Sequence, residues 1–296
     1  MQALGAPERN PMPGPTHRDV TASGIRLRVV EHGEGPPIVL VHGLFMDHRT
    51  WDGVRGELGD RYRLITPDLP GFGQSEKPSP NRFPYGIDAF AEAIADLYAG
   101  LELGRAALVG HGLGGAVVLT LAARHPELVS HLVLVSPLVP PERPSLESRL
   151  ARLPFVGNLV FRQLVGRSLF RAYFRERMLS SSAGAAGERI DAFYDAFNSP
   201  AARGSALATL RSCADPRPTL AQTSRIQTPT LVIWGHGDAL SPARFGQRLA
   251  REIRGAGFEQ LDAGHAPQEE RPREVARLVA RFLGDGQPER ATHVRG

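Results

Sequence analysis

Five short runs of apolar residues set the fold class of this 296-residue chain: Ile38-Val39-Leu40-Val41, Leu64-Ile65, Ala107-Leu108-Val109, Leu132-Val133-Leu134-Val135 and Leu231-Val232-Ile233-Trp234. A strand with one wet face alternates apolar and polar residues. A run with no polar position needs cover on both faces, as a parallel sheet provides. Between the runs lie amphipathic helix patterns. Phe90, Ile94, Leu97, Tyr98 and Leu101 share one helical face, as do Val275, Leu278, Val279, Phe282 and Leu283. Strands alternating with helices predict an α/β fold, a mostly parallel central sheet with helices on both faces. Arg26–Val30 alternates polar and apolar and adds a strand before the turn signal at Gly33–Pro37.

The alternation breaks once. From 138 to 225 the chain shows helix-like stretches and no strong strand pattern, which predicts a helical cap inserted between two strands. The core is then discontinuous, 19–137 and 226–284. Residues 1–18, rich in proline and polar side chains, are expected to be a disordered lead-in, and 285–296 a disordered tail. Hydrophobic residues at 42% and charged residues at 22% fit a globular protein. No apolar run reaches the length of a membrane span. With one cysteine, Cys213, and no apolar signal segment, the expected compartment is cytoplasmic.

Charge is uneven. The formal net charge is +4, yet 141–180 alone carries +5, from eight arginines (143, 149, 152, 162, 167, 171, 175, 177) against three glutamates. A solvated helical face accounts for such a patch. A weak peripheral contact with an anionic membrane surface is the other use it could have. No nucleic-acid motif accompanies the arginines. There is no HExxH or CxxC, and no histidine–carboxylate spacing that specifies a metal, so no metal or other cofactor is expected. The expected partner is a small-molecule substrate or ligand. The oligomeric state stays open.

Chemistry concentrates in loops that follow the buried runs, where α/β sheets place their sites. These are His42-Gly43-Leu44; Asp68 to Ser75; Gly110-His111-Gly112-Leu113-Gly114-Gly115; Gly235-His236-Gly237-Asp238; and Gly264-His265-Ala266-Pro267. In this order they resemble the α/β-hydrolase family over about residues 20–284. The likeness is to its capped branch of epoxide hydrolases, haloalkane dehalogenases, cofactor-free haloperoxidases and carbon–carbon bond hydrolases. The resemblance implies Asp238 as the acid and His265 as the base it orients. It also implies an oxyanion hole from the backbone N–H groups of Leu44 and Leu113. His42, Ser136, Tyr173 and Tyr194 are candidate pocket residues. Alternation along the strand predicts that His111 points away from the cavity.

One position departs from that family. Its elbow reads Gly-x-nucleophile-x-Gly, and here the middle residue is Gly112. Glycine meets the strained elbow geometry without steric cost but cannot form a covalent intermediate. Three readings stay open. His265 with Asp238 acts as a general base, on water at an ester-like bond or in a lyase or isomerase step. Or the protein is an inactive pseudohydrolase that binds a ligand or partner. Or a serine hydrolase has been silenced by deliberate substitution.

Overall fold

The computed structural model describes residues 14–138, 165–180, 187–215 and 217–285. An eight-stranded sheet runs in the order β1-β2-β4-β3-β5-β6-β7-β8. Its strands are β1 (Thr16–Ala22), β2 (Ile25–His32), β3 (Pro37–Val41), β4 (Arg63–Pro67), β5 (Ala106–His111), β6 (Val129–Val135), β7 (Thr230–Gly235) and β8 (Gly257–Leu261). β1, β2 and β4 pair antiparallel, and β4 through β8 are joined in parallel. The fold is the α/β type that the apolar runs predict.

The all-apolar strands follow from having two cores. Leu132 and Leu134 of β6 enter one core while Val133 and Val135 enter the other, and Val232 and Trp234 of β7 divide from Leu231 and Ile233 in the same way. On the first face lie α2 (Ile87–Gly100), α3 (Leu113–Arg124) and the later helix Arg244–Glu252. On the second lie α1 (Asp52–Leu58) and the C-terminal helix Pro272–Ala280.

Strand β1 begins at Thr16, so the expected lead-in of 1–18 is too long by three residues. The strand is a polar edge that buries only Val20 and Ala22, and its sequence offers no apolar run to announce it. It is held by seven residue pairs with β2.

Between β6 and β7 come four described α-helices: α4 (Arg167–Tyr173), α5 (Gly187–Phe197), α6 (Pro200–Ser212) and α7 (Arg217–Leu220). Phe155, Phe161 and Arg143, Arg149, Arg152 and Arg162 lie outside the described residues. Of the arginines within them, Arg167 pairs with Asp191 and Asp195, and Arg171 pairs with Asp191, so α5 neutralises part of the positive charge of α4. After β7 come α8 (Arg244–Glu252), α9 (Pro267–Glu270) and α10 (Pro272–Ala280).

The insertion is fastened to the core by aromatic and ionic contacts. Phe45, in the loop after β3, meets the rings of Phe170, Tyr173 and Phe197 at centroid distances of 6.1, 5.9 and 5.6 Å. Arg49 donates to the Ala192 carbonyl, and Arg189 of α5 reaches Asp52 at 2.6 Å.

Candidate active site

The sharp turn between β5 and α3 places Gly112 at the helix N-cap with φ +53° and ψ −115°. That conformation is costly for a side-chain-bearing residue and free for glycine. The turn is also tight for its neighbours. A Cβ on Gly114 would lie 2.4 Å from the Val41 carbonyl oxygen, so glycine there lets the helix start pass close to β3. The backbone of Gly112 is fully engaged. Its N–H donates to Val135 O, and its carbonyl accepts from Ala116 and Leu138.

The space where a side chain would stand is open. Apart from its chain neighbours and among the described residues, a Cβ on Gly112 would have only Gly43 Cα and His265 Nε2 within 4 Å, both at 3.7 Å. These are ordinary contact distances. Leu113 is the first residue of α3, so its N–H has no acceptor inside the helix. Leu44 sits between Gly43, which faces the same space, and Phe45, whose φ is +63°.

His265 and Asp238 come together from the loops after β8 and β7. His265 Nδ1 and an Asp238 carboxylate oxygen are 2.8 Å apart, and the Asp238 side chain is fully buried. The other carboxylate oxygen accepts the backbone N–H groups of Leu240 and Ser241 at 2.9 and 2.8 Å. Three donors hold the carboxylate in one orientation, and it sets the imidazole with its proton on Nδ1 and Nε2 free. That free nitrogen faces the space at Gly112.

His111 is nearer the site than strand alternation predicts. Its ring centroid lies 5.2 Å from that of His265, and its Nε2–H donates to the His265 carbonyl at 3.0 Å. Burial, with the neighbouring His265 second, holds its pKa well below the ordinary value, so the ring is neutral and braces the loop from behind. His42 is a strut, not a pocket residue. Its Nδ1–H donates to Gly43 O, its Nε2 accepts from Leu69 N–H, and the ring is fully buried. Ser136 is likewise buried, and its hydroxyl meets no partner among the described residues, His265 included. Tyr194 packs inside the insertion, with Arg167 4.7 Å over its ring and its hydroxyl accepting from Arg203. Tyr173, half-buried against Phe45, is the pocket candidate that lies where insertion meets core.

Three features escape motif reading. A second histidine–carboxylate pair, His48 with Asp68 at 2.9 Å, is buried beneath the loop after β4. Burial works against the charge of Asp68, but the hydrogen bond from His48, the nearby His42 and the Gln74 N–H hold its pKa below the usual value. Asp47, His48 and Asp68 lie close enough to share a cation, yet Asp47 is taken by Arg49 and Asp68 by His48. Glu269, on α9, has its pKa pushed up to about 7 by burial, against the pull of Arg189 at 4.0 Å. Its neighbour Glu270 accepts from Gly264 N–H at 2.7 Å and from the N–H and hydroxyl of Ser180 at 3.0 and 2.5 Å. Two adjacent glutamates four and five residues after the histidine were visible in the sequence, with no pattern to mark their role.

Residues 38–278 match the model of the alpha/beta hydrolase family. The chain belongs to that family. Among relatives of this alpha/beta hydrolase is an uncharacterized protein of Mycobacterium tuberculosis, 31% identical over 292 residues that cover 93% of this chain and 83% of that one. The 2-hydroxymuconate semialdehyde hydrolase of Pseudomonas putida is 28% identical, covering 95% of this chain and 98% of that enzyme. A solved structure of a thermophilic esterase from Thermogutta terrifontis superposes with a TM-score of 0.77 at 29% identity, covering 90% of this chain and 98% of that one.

Proposed function

We propose that this alpha/beta hydrolase cleaves an ester-like bond in a small, largely apolar molecule by general-base catalysis, without a covalent intermediate. The observation that carries the reading is the placement of His265. Its Nδ1 is held by Asp238 at 2.8 Å, and its Nε2 stands 3.7 Å from where a nucleophile's Cβ would be. An idle relic has no need of a base that is both oriented and aimed.

In the proposed reaction a water in the space at Gly112 gives a proton to His265 Nε2 as its oxygen attacks the substrate carbonyl. The oxyanion receives the N–H groups of Leu44 and Leu113, and Asp238 stabilises the imidazolium. The imidazolium then returns the proton to the leaving oxygen. The scale is workable: a positioned base contributes about 10²–10⁴-fold, and an oxyanion hole with binding alone retains roughly 10³–10⁴-fold over water. The insertion acts as a cap, and the rings of Phe45, Tyr173 and Phe197 beside Leu44 give the apolar character of the substrate. The solved structure named as an esterase supports the bond type.

Turnover of short-chain p-nitrophenyl esters tests the reading. His265→Ala and Asp238→Asn are each expected to lower the rate by about 10²–10⁴-fold. Wild-type rates in both variants would overturn the enzyme reading and leave a ligand-binding protein.

A further inference from the structure

The helices that cover the second core leave a groove of about 350 Å³ between α1 and α10. Small-molecule sites begin at about that volume. Four arginines border it, Arg61, Arg273, Arg277 and Arg281, against one acid, Glu57. Three of the four stand at i, i+4 and i+8 along α10 and the turn beyond it, so they share one helical face over about 12 Å. Like charges at that spacing repel. Arg273 also sits in the first turn of α10, where the helix dipole disfavours a cation. Neighbouring acids offset only part of this charge. Glu57 pairs with Arg273 at 3.1 Å, and Glu259 pairs with Arg281 at 2.5 Å. Arg277 is exposed and has no hydrogen bond or ion pair among the described residues. Helix stability therefore gives no reason for the row.

We propose that this groove binds a small soluble anion carrying two or more linked phosphate groups, of the size of a nucleoside polyphosphate. Guanidinium groups match phosphate oxygens with paired N–H donors. A row of three over about 12 Å, with a fourth from the loop between α1 and β4, suits a chain of phosphates better than a single one. Larger anionic partners fit less well. A protein interface or a membrane surface is anchored by exposed apolar side chains. Among the described residues the exposed large ones are Leu169 and Leu240, and neither borders the groove. The site is also separate from the candidate active site. Gly112 and His265 follow the ends of the parallel strands β5 and β8, whereas Arg61 precedes the start of β4.

The test uses the full chain and magnesium-free ATP, with binding read by titration calorimetry at physiological ionic strength, where long-range surface charge is screened. ATP is expected to bind saturably, ADP more weakly, and adenosine without measurable signal. That order is read on the wild-type protein, so it needs no variant to fold. Arg277→Glu should weaken ATP binding roughly 10–100-fold, the scale of a lost charge-assisted contact. Arg248→Glu makes the same charge change on α8, at an exposed arginine outside the groove, and should leave the affinity unaltered. No binding of ATP, or equal binding of adenosine, would overturn the proposal. Equal weakening by Arg248→Glu would overturn it too, since the protein would then be responding to net charge alone. Arg277-dependent binding to phosphatidylserine vesicles, with none to ATP, would overturn it in favour of a membrane surface.

Discussion

At the scale of single residues, Gly112 and Glu269 carry the sharpest consequences. Gly112 sits at φ +53°, so any side chain there pays for backbone strain. Gly112→Ser is expected to lose roughly 1–3 kcal/mol of stability, measured by denaturant unfolding. Glu269 gives a pH-dependent effect of definite sign. Its carboxyl titrates at about 7 in the folded protein, against 4.5 as the ordinary value. A raised carboxylate pKa means the folded state holds the proton more tightly. Its contribution is therefore present at low pH and lost as pH rises through about 7. Glu269→Gln should leave stability nearly unchanged below the ordinary pKa and raise it above about 7. The gain there should be on the order of 3 kcal/mol, and thermal melts across that range would show it. An unchanged difference at every pH would contradict the assignment. The sequence made Gly112 legible because the motif around it has a fixed form. It left Glu269 silent, because its pKa is set by burial together with Arg189, Thr50 and Asp52, which reach it from distant parts of the chain.

At the scale of elements, the loop carrying His265 is tied to the end of the insertion. Ala266 N–H donates to Met178 O at 3.0 Å, and Glu270 bridges Gly264 and Ser180. The backbones come so close that a Cβ on Gly264 would lie 2.6 Å from Leu179 C and Ser180 N. Gly264→Ala should therefore force loop and insertion apart, costing about 1–3 kcal/mol in unfolding experiments and lowering His265-dependent turnover. Retained stability and turnover would show that the contact is incidental. The parallel strands and the helices α2 and α10 could be read from apolar runs and helical spacing because burial on two faces and on one face write different patterns. Strand β1 could not, since an edge strand of Thr, His, Arg and Asp is stabilised by backbone pairing and not by its side chains. The bonding of His42 is hidden from the sequence for a related reason. A histidine in a loop after a strand looks available until Gly43 O and Leu69 N–H are seen to occupy both ring nitrogens.

At the scale of the whole molecule, one sheet brings the ends of β3, β5, β7 and β8 to a common edge, and the helical insertion meets that edge through Phe45. Truncating Phe45 to alanine removes ring contacts with Phe170, Tyr173 and Phe197 together. It should speed proteolysis within the insertion before the sheet core is cut, the pattern expected of a locally less stable unit. Uniform cleavage would mean that the two are held together elsewhere. At the common edge the proposed base His265 and acid Asp238 stand beside the turn at Gly112, a position that lacks only its side chain. Labelling of Gly112→Ser by a fluorophosphonate tests that assignment most directly. The introduced serine should label readily, and adding His265→Ala should abolish the labelling. A folded Gly112→Ser protein that stays unlabelled would contradict it.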